Sequence, residues 1–329
     1  MAKTMRAALL VEAGRLVCEE VPVRPPKDGE LLVETQGASI CGSDLHVVFM
    51  GLSIFPPPTP PGYPGHEGIG KVMESRSDAF APGDMVLTCP WPTEAGCFSD
   101  WQTIAASFCL KLPSHDGPVE ELMMAQQLCA VLYCFRRSKL DLHGKTVMVM
   151  GQGSAGQFMA WLAKRAGAAK VIASDRSEAR LSMSSAFGVD VPVMARGDNV
   201  NQAVMDHTGG EGADLLIEAV GSRESLLESV ELTRVGGEML LFGLPDSNDP
   251  VPFNFHDFFR RKLTAYADYG AQHEPDLVSF DHALRLIASG EIDVKSMVSH
   301  TLPIERIDEA MRLAHERDDN ALKVSLSFD

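Results

Sequence analysis

The six residues from Gly151 to Gly156, GQGSAG, constrain what this chain can fold into more than any other stretch. They lie between an apolar run, Thr146 to Met150, and a helix-like stretch, Gln157 to Ala166. An acid, Asp175, closes the next apolar run. Strand, glycine turn, helix and an acid about 20 residues on form the pattern of a dinucleotide-binding βαβ unit. Gly151 permits the tight turn, Gly153 lets backbone approach a pyrophosphate, and Gly156 lets the helix pack on the strand. Ser154 and Ala155 complete the phosphate turn, because a helix amino terminus offers unpaired N–H groups and a positive dipole end to an anion.

The surroundings of this motif indicate an α/β fold in two parts. Before it, MRAALLV, GRLVCEEVPV, ELLVETQGA, GIGKVME and DMVLTCP read as short strands broken by Gly and Pro, the spacing of a β-rich, barrel-like domain. From about Val119 the pattern changes to a helix and then to TVMVMG, KVIASD, DVPVMA, DLLIEAVG and EMLLFGLP, which alternate with helical stretches. Continuous apolar strands of this kind belong to a parallel sheet covered on both faces. The tail holds a helix over Asp276 to Ser289, a strand MVSHTL, a helix from Ile304 and a last strand ALKVSLSF. The expected organisation is a discontinuous β-rich domain over 1–123 and 266–329, with a doubly wound Rossmann domain over 124–265 inserted into it.

Composition narrows the class. A net charge of −16 disfavours nucleic acid as a partner. No apolar run approaches the roughly 18 residues of a membrane span, and MAKTMRAALLVEAG lacks the marks of a signal peptide. The expectation is a cytoplasmic protein with no membrane partner. Seven irregularly spaced Cys argue against a disulfide framework.

A second constellation lies upstream. ASICGSDLH brings Cys41, Ser43, Asp44 and His46 together, and PGHEGIG follows with His66 and Glu67. Thiolate, imidazole and carboxylate all bind Zn²⁺, and a catalytic zinc needs three protein ligands and an open position. A lone Cys and His in a β-domain are more often structural, so these residues alone leave both readings open.

Joined to the downstream nucleotide motif, the chain resembles the zinc-containing medium-chain dehydrogenase/reductase family, nearest its polyol (sorbitol) and threonine dehydrogenase branch. The resemblance runs through GASICGSDLH, GHEGIGKV, PGDMV, VMVMGQGSAGQ, Asp175, EAVG at Glu218 to Gly221, RVGGEMLLFG and LPIERIDEAMRLA. It implies a GroES-like catalytic domain beside the Rossmann domain, and homodimers or homotetramers. It makes Cys41 and His66 zinc ligands, Glu67 a third or exchangeable ligand, and Asp44 the group that orients a ligand. Ser43 would contact the substrate hydroxyl and His46 would pass its proton to solvent. Gly151, Gly153, Ser154, Ala155, Gly156, Asp175, Arg176, Val220 and Gly243 would hold the cofactor.

Two departures stand out. Where the family places an acid at the start of the helix leading into the nucleotide domain, this chain has Gln126 and Gln127. A neutral amide is a poor Zn²⁺ ligand beside a carboxylate, so Cys41, His66, Glu67 and a water are expected to complete the tetrahedron. Between Val86 and Trp101 only Cys89 and Cys97 remain of the family's four-Cys lobe, so no structural zinc is expected.

The function implied is hydride transfer between a secondary alcohol or polyol, or the matching ketone, and NAD. Asp175 accepts from the adenosine ribose and repels a 2′-phosphate, although Arg176 next to it suits one. Two other readings remain at this point. One is a metal-free quinone-reductase-like reductase of an activated double bond, and the other a nucleotide-binding protein without turnover. Phe49, Met50, Leu52, Phe55 and Trp91 are candidate pocket walls or ordinary packing.

Overall fold

The computed structural model describes residues 3–245 and 247–329. They form two compact units, one of Met1–Cys129 with Ala271–Asp329, the other of Ala130–Gly270. The chain passes from the first unit to the second at 129/130, inside a helix, and returns at 270/271.

The first unit opens with an antiparallel pair, β1 (Thr4–Glu12) and β2 (Arg15–Pro22). Next come β3 (Glu30–Ser39), helix α1 (Gly42–Phe49), β4 (Glu67–Ser75), β5 (Met85–Thr88), β6 (Trp101–Ala105) and β7 (Cys109–Lys111). A 3₁₀ stretch, Val119–Met124, leads into α2 (Ala125–Ser138), which spans both units. Inward residues of β3 to β7, Leu31, Val33, Val72, Val86, Ile104 and Cys109, make one apolar core.

The second unit alternates strand and helix: β8 (Thr146–Met150), α3 (Ser154–Arg165), β9 (Lys170–Asp175), α4 (Glu178–Ser184), β10 (Val191–Met194), α5 (Asn199–Thr208), β11 (Ala213–Glu218), α6 (Arg223–Leu232), β12 (Thr233–Leu241), α7 (Phe255–Arg260) and β13 (Thr264–Ala267). All neighbours are parallel, in the order β10-β9-β8-β11-β12-β13. The order reverses between β8 and β11, and ligands of such sheets bind at the strand ends beside that switch point. Asp175, at the end of β9, and Glu218, at the end of β11, both stand at this edge.

The tail returns to the first unit as α8 (Val278–Ala288), β14 (Val298–Pro303), α9 (Ile307–Glu316) and β15 (Lys323–Ser327). It completes a seven-stranded sheet of order β14-β15-β3-β4-β5-β7, with β6 also on β3. In α9, Ile307, Ala310 and Met311 fall at helical spacing on one face and are buried. The helix stops at Arg317, which takes a left-handed conformation with φ +60°. The buried face of α9 joins Ala8, Leu10, Leu16, Val48, Phe98 and Val324 in a second core, so α1 is seated on residues from both ends of the chain. Asp308 adds a hydrogen bond from Leu16 N at 3.0 Å.

Phe98 is fully buried at the centre of that core. Phe98→Ala should destabilise the first unit by about 3–5 kcal/mol, read as a fall in its urea unfolding midpoint. A loss under about 1 kcal/mol would show that the core does not depend on this ring.

Candidate active site

Cys41 is the N-cap of α1, and Ser43, Asp44 and His46 lie on the helix itself. Asp44 folds back on the cap: its Oδ2 accepts from Cys41 N at 2.9 Å, while its own N–H donates to Cys41 O at 3.1 Å. The other carboxylate oxygen, Oδ1, lies 3.0 Å from His66 Nδ1, which is also 3.2 Å from Pro64 O. Two oxygens face Nδ1 and hold its proton there, so Nε2 is the ring atom that would meet a metal, on loss of its own proton. Burial pushes the Asp44 carboxyl up, with His66 and the Cys41 amide opposing it. Burial works against a charged His66, yet Asp44 outweighs it and holds the imidazole well above its ordinary range.

His66 immediately precedes β4 and Glu67 begins it. One donor atom each from Cys41, His66 and Glu67 lie within 4.8 Å of one another, the group among the described residues whose Cys, His and acid donors could share one ion. A soft thiol, an imidazole held through Nδ1 and a carboxylate are donors that Zn²⁺ accepts, so the residues fit that metal.

Gln126, expected at the position of the missing acid, is buried on α2. Its Nε2 donates to His66 O at 3.1 Å and to Thr88 O. Both partners are carbonyl oxygens, which fixes the orientation of the amide. Gln126 therefore clamps the strand entering β4 to the end of β5. Cys129 donates to Gln126 O at 2.9 Å, one turn back on the same helix. Cys89 and Cys97 are fully buried, and desolvation pushes both thiols well up.

The sequence reading missed two members of the site. Lys323 on β15 is only 3 % exposed and its Nζ contacts Glu67 Oε2, while Ser39 on β3 donates its hydroxyl to that same oxygen. Sheet register brings them together, since Ser325 pairs with Ser39 and Ser39 with Glu67 across β15, β3 and β4. Burial alone would raise the Glu67 carboxyl. Lys323 first, then His66 and Ser39, outweigh burial and hold it below the usual range. The signal was present in ALKVSLSF, where one lysine interrupts an apolar strand and so needs a buried anion.

In the second unit, Gly151 adopts φ +90°, and a Cβ on Gly156 would stand 1.9 Å from Gly151 O. A Cβ on Gly153 would meet nothing within 4 Å. The turn is thus closed on its strand side and open over Gly153, the N-cap of α3, where Ser154, Ala155 and Gly156 start the helix. That opening fits a dinucleotide phosphate. Asp175 Oδ2 accepts from Gln152 N at 2.7 Å and Oδ1 from Ser177 N at 2.8 Å, which fixes the carboxylate at the end of β9. Arg176 is exposed beside it. Val220 and Gly243 lie on the turns after β11 and β12. Glu218 holds both turns: its Oε1 accepts from Val220 N at 2.8 Å and Gly221 N at 2.9 Å, and its backbone O from Gly243 N at 2.9 Å.

Of the candidate pocket walls, Phe49 stacks on His315 of α9 at 4.3 Å and belongs to the packing that seats α1. Phe55 lies edge-on to Tyr63 at 5.1 Å, and Trp91 edge-on to His273 at 3.9 Å.

Comparison with known proteins agrees with this geometry. Residues 27–132 match the alcohol dehydrogenase GroES-like domain and residues 155–288 the zinc-binding dehydrogenase domain. A putative D-xylulose reductase of Rhizobium meliloti is 28% identical, over 98% of this chain and 99% of its own. Human sorbitol dehydrogenase is 27% identical over 94% and 92%. An alcohol dehydrogenase from Thermotoga maritima superposes with a TM-score of 0.84 at 26% identity, each chain fully covered. The chain belongs to the zinc-type alcohol dehydrogenase family of medium-chain dehydrogenases and is an oxidoreductase.

Proposed function

We propose that this protein interconverts a secondary alcohol or polyol and the matching ketone, with one zinc per chain and NAD as the hydride carrier. The observation that carries the reading is the convergence of Cys41, His66 and Glu67 donor atoms within 4.8 Å. The names of the relatives, a xylulose reductase and sorbitol dehydrogenases, support polyols as the substrate class. A bound zinc would act as a Lewis acid that makes the substrate hydroxyl easier to ionise, and NAD would accept the hydride.

The chain's own residues do the remaining work. Cys41 and His66 would hold the metal, Glu67 would serve as its third, exchangeable ligand, and Asp44, at His66 Nδ1, would leave Nε2 as the ligating atom. Ser43 takes up the hydroxyl proton and His46, on the same helix, passes it on. Gly151, Gly153, Ser154, Ala155 and Gly156 cradle the pyrophosphate, and Val220 and Gly243 border the nicotinamide. Asp175 receives the adenosine ribose, which favours NAD over its 2′-phosphorylated form. The domains run over 1–123 with 266–329 and over 124–265. We place no second, structural zinc in the chain, because Cys89 and Cys97 alone cannot supply four thiolates. Seven cysteines that form no disulfide support a cytoplasmic protein, and family membership supports a homodimer or homotetramer.

Purified protein should carry close to one zinc, lost in Cys41→Ser together with alcohol-dependent NAD reduction. Elemental mass spectrometry decides it, and NAD-binding protein that refuses zinc would favour double-bond reduction instead. Asp44→Asn should weaken zinc about 10–100-fold in a chelator competition, through loss of the His66 orientation. Unchanged affinity would remove Asp44 from the site. Asp175→Ala should shift the ratio of kcat/KM values toward NADP, and an unchanged ratio would mean that another residue selects the cofactor.

A further inference from the structure

Hydride transfer to a nicotinamide ring removes the ring's single positive charge, so a fixed charge near the ring distinguishes the oxidised from the reduced cofactor. The acids of the second unit differ in how their own charge is met. Asp214 pairs with Arg234 at 2.9 Å, Glu238 with Lys145 at 3.0 Å and Asp268 with Arg137 at 3.1 Å. Asp175 and Glu218, at the strand ends beside the switch point, are held instead by N–H and O–H donors. Glu218 is 3 % exposed, and its Oε1 accepts from Val220 N at 2.8 Å, Gly221 N at 2.9 Å and Ser225 Oγ at 2.8 Å. None of the ion pairs among the described residues of this unit includes it. Hydrogen bonds from neutral donors spread the charge of a carboxylate without cancelling it.

We infer that Glu218 is an uncompensated buried anion that favours the oxidised, pyridinium form of the cofactor over the reduced form. The inference rests on the nicotinamide cofactor read above and not on the metal. Dinucleotides lie across the strand ends of such a sheet, one mononucleotide on each half. With the adenosine ribose at Asp175, the nicotinamide half falls to the turns after β11 and β12, and Glu218 fastens both. Its side chain holds Val220 and Gly221, and its backbone O accepts from Phe242 N and Gly243 N, each at 2.9 Å. The turns approach this closely because Gly243 has no side chain: a Cβ there would stand 2.2 Å from Gly221 N and 2.5 Å from Glu218 Oε2. That oxygen therefore faces the Gly243 turn, one of the two assigned to the nicotinamide. In an interior that screens poorly, its charge stabilises a pyridinium and not a neutral dihydropyridine. Glu218 acts on the charge of the ring without contact with the reacting atoms. By linkage it makes the bound reduced cofactor a stronger hydride donor by the same factor.

A group that only braces the two turns loosens both cofactor forms alike when it is changed. Glu218→Gln keeps the shape and the Oε1 acceptor but removes the charge. It should raise the ratio of Kd values, NAD⁺ over NADH, at least about threefold. ADP-ribose, which has no ring, should bind as it does to the wild-type chain. The measurement is calorimetric titration of the full-length protein with each of the three ligands, with no alcohol present. Glu218→Asp, which keeps the charge on a shorter arm, should leave the ratio near the wild-type value. An unchanged or lowered ratio in Glu218→Gln would overturn the proposal and leave Glu218 a brace for the turns, and a rise in Glu218→Asp equal to that in Glu218→Gln would do the same. A wild-type chain that binds neither NAD⁺ nor NADH would overturn the cofactor reading itself, and the proposal with it. Should Glu218→Gln not fold, Glu218→Ala in the same titrations carries the comparison with the same outcomes.

Discussion

The site of this protein depends on ionic pairing in a place without water. Asp44 with His66 and Glu67 with Lys323 are two pairs of charges drawn from three separate segments of the chain. A buried ion pair is a weak source of net stability but a strong demand on geometry, because each partner is costly without the other. The first unit must therefore bring the α1 segment, the start of β4 and the carboxyl-terminal strand to fixed positions. It does so with backbone: β15 pairs with β3 and β3 with β4, so the register that closes the sheet also delivers Lys323 and Ser39 to Glu67. The apolar core under α1, shared between β1, β2, α9 and β15, sets the helix that carries Cys41 and Asp44.

The two units present different degrees of preorganisation. In the second unit the ligand-binding edge is built almost wholly from backbone. Gly151 and Gly156 let strand and helix approach, and acids at strand ends accept turn amides, Asp175 from Gln152 and Ser177, Glu218 from Val220 and Gly221. Such carboxylates hold loops in shape before any ligand arrives, which lowers the ordering cost of binding. In the first unit the work falls to side chains, whose positions follow from packing and from charge.

This difference explains what could be read from the sequence. GQGSAG with its flanking strand and helix was legible because backbone sites are written in glycine spacing and hydrophobic period, both local. Cys41, His66 and Glu67 were legible as donors, and the fold places one donor atom of each within 4.8 Å of the others. Lys323 was not, since its partner lies 256 residues earlier and only sheet register joins them. The helix α1 was also hidden: GSDLHVVF carries few helix signals of its own and is held by tertiary packing around Val48. Phe49, which the sequence left as either pocket wall or ordinary packing, stacks on His315 in the packing that seats α1.

Gln126 shows how one neutral residue fits the electrostatics of the whole site. Asp44 and Glu67 already concentrate carboxyl groups there, against Lys323 and the His66 ring. A further buried carboxylate at 126 would need a cation of its own, and it would lie beside the carbonyl oxygens of His66 and Thr88, which repel it. The amide reverses that relation by donating to both oxygens. Replacement of an acid by Gln126 thus removes a charge from a crowded anionic interior and ties β4 to β5 beside His66. The amide supplies no charged donor there but tightens the frame around Cys41, His66 and Glu67, whose donor atoms stay grouped without one.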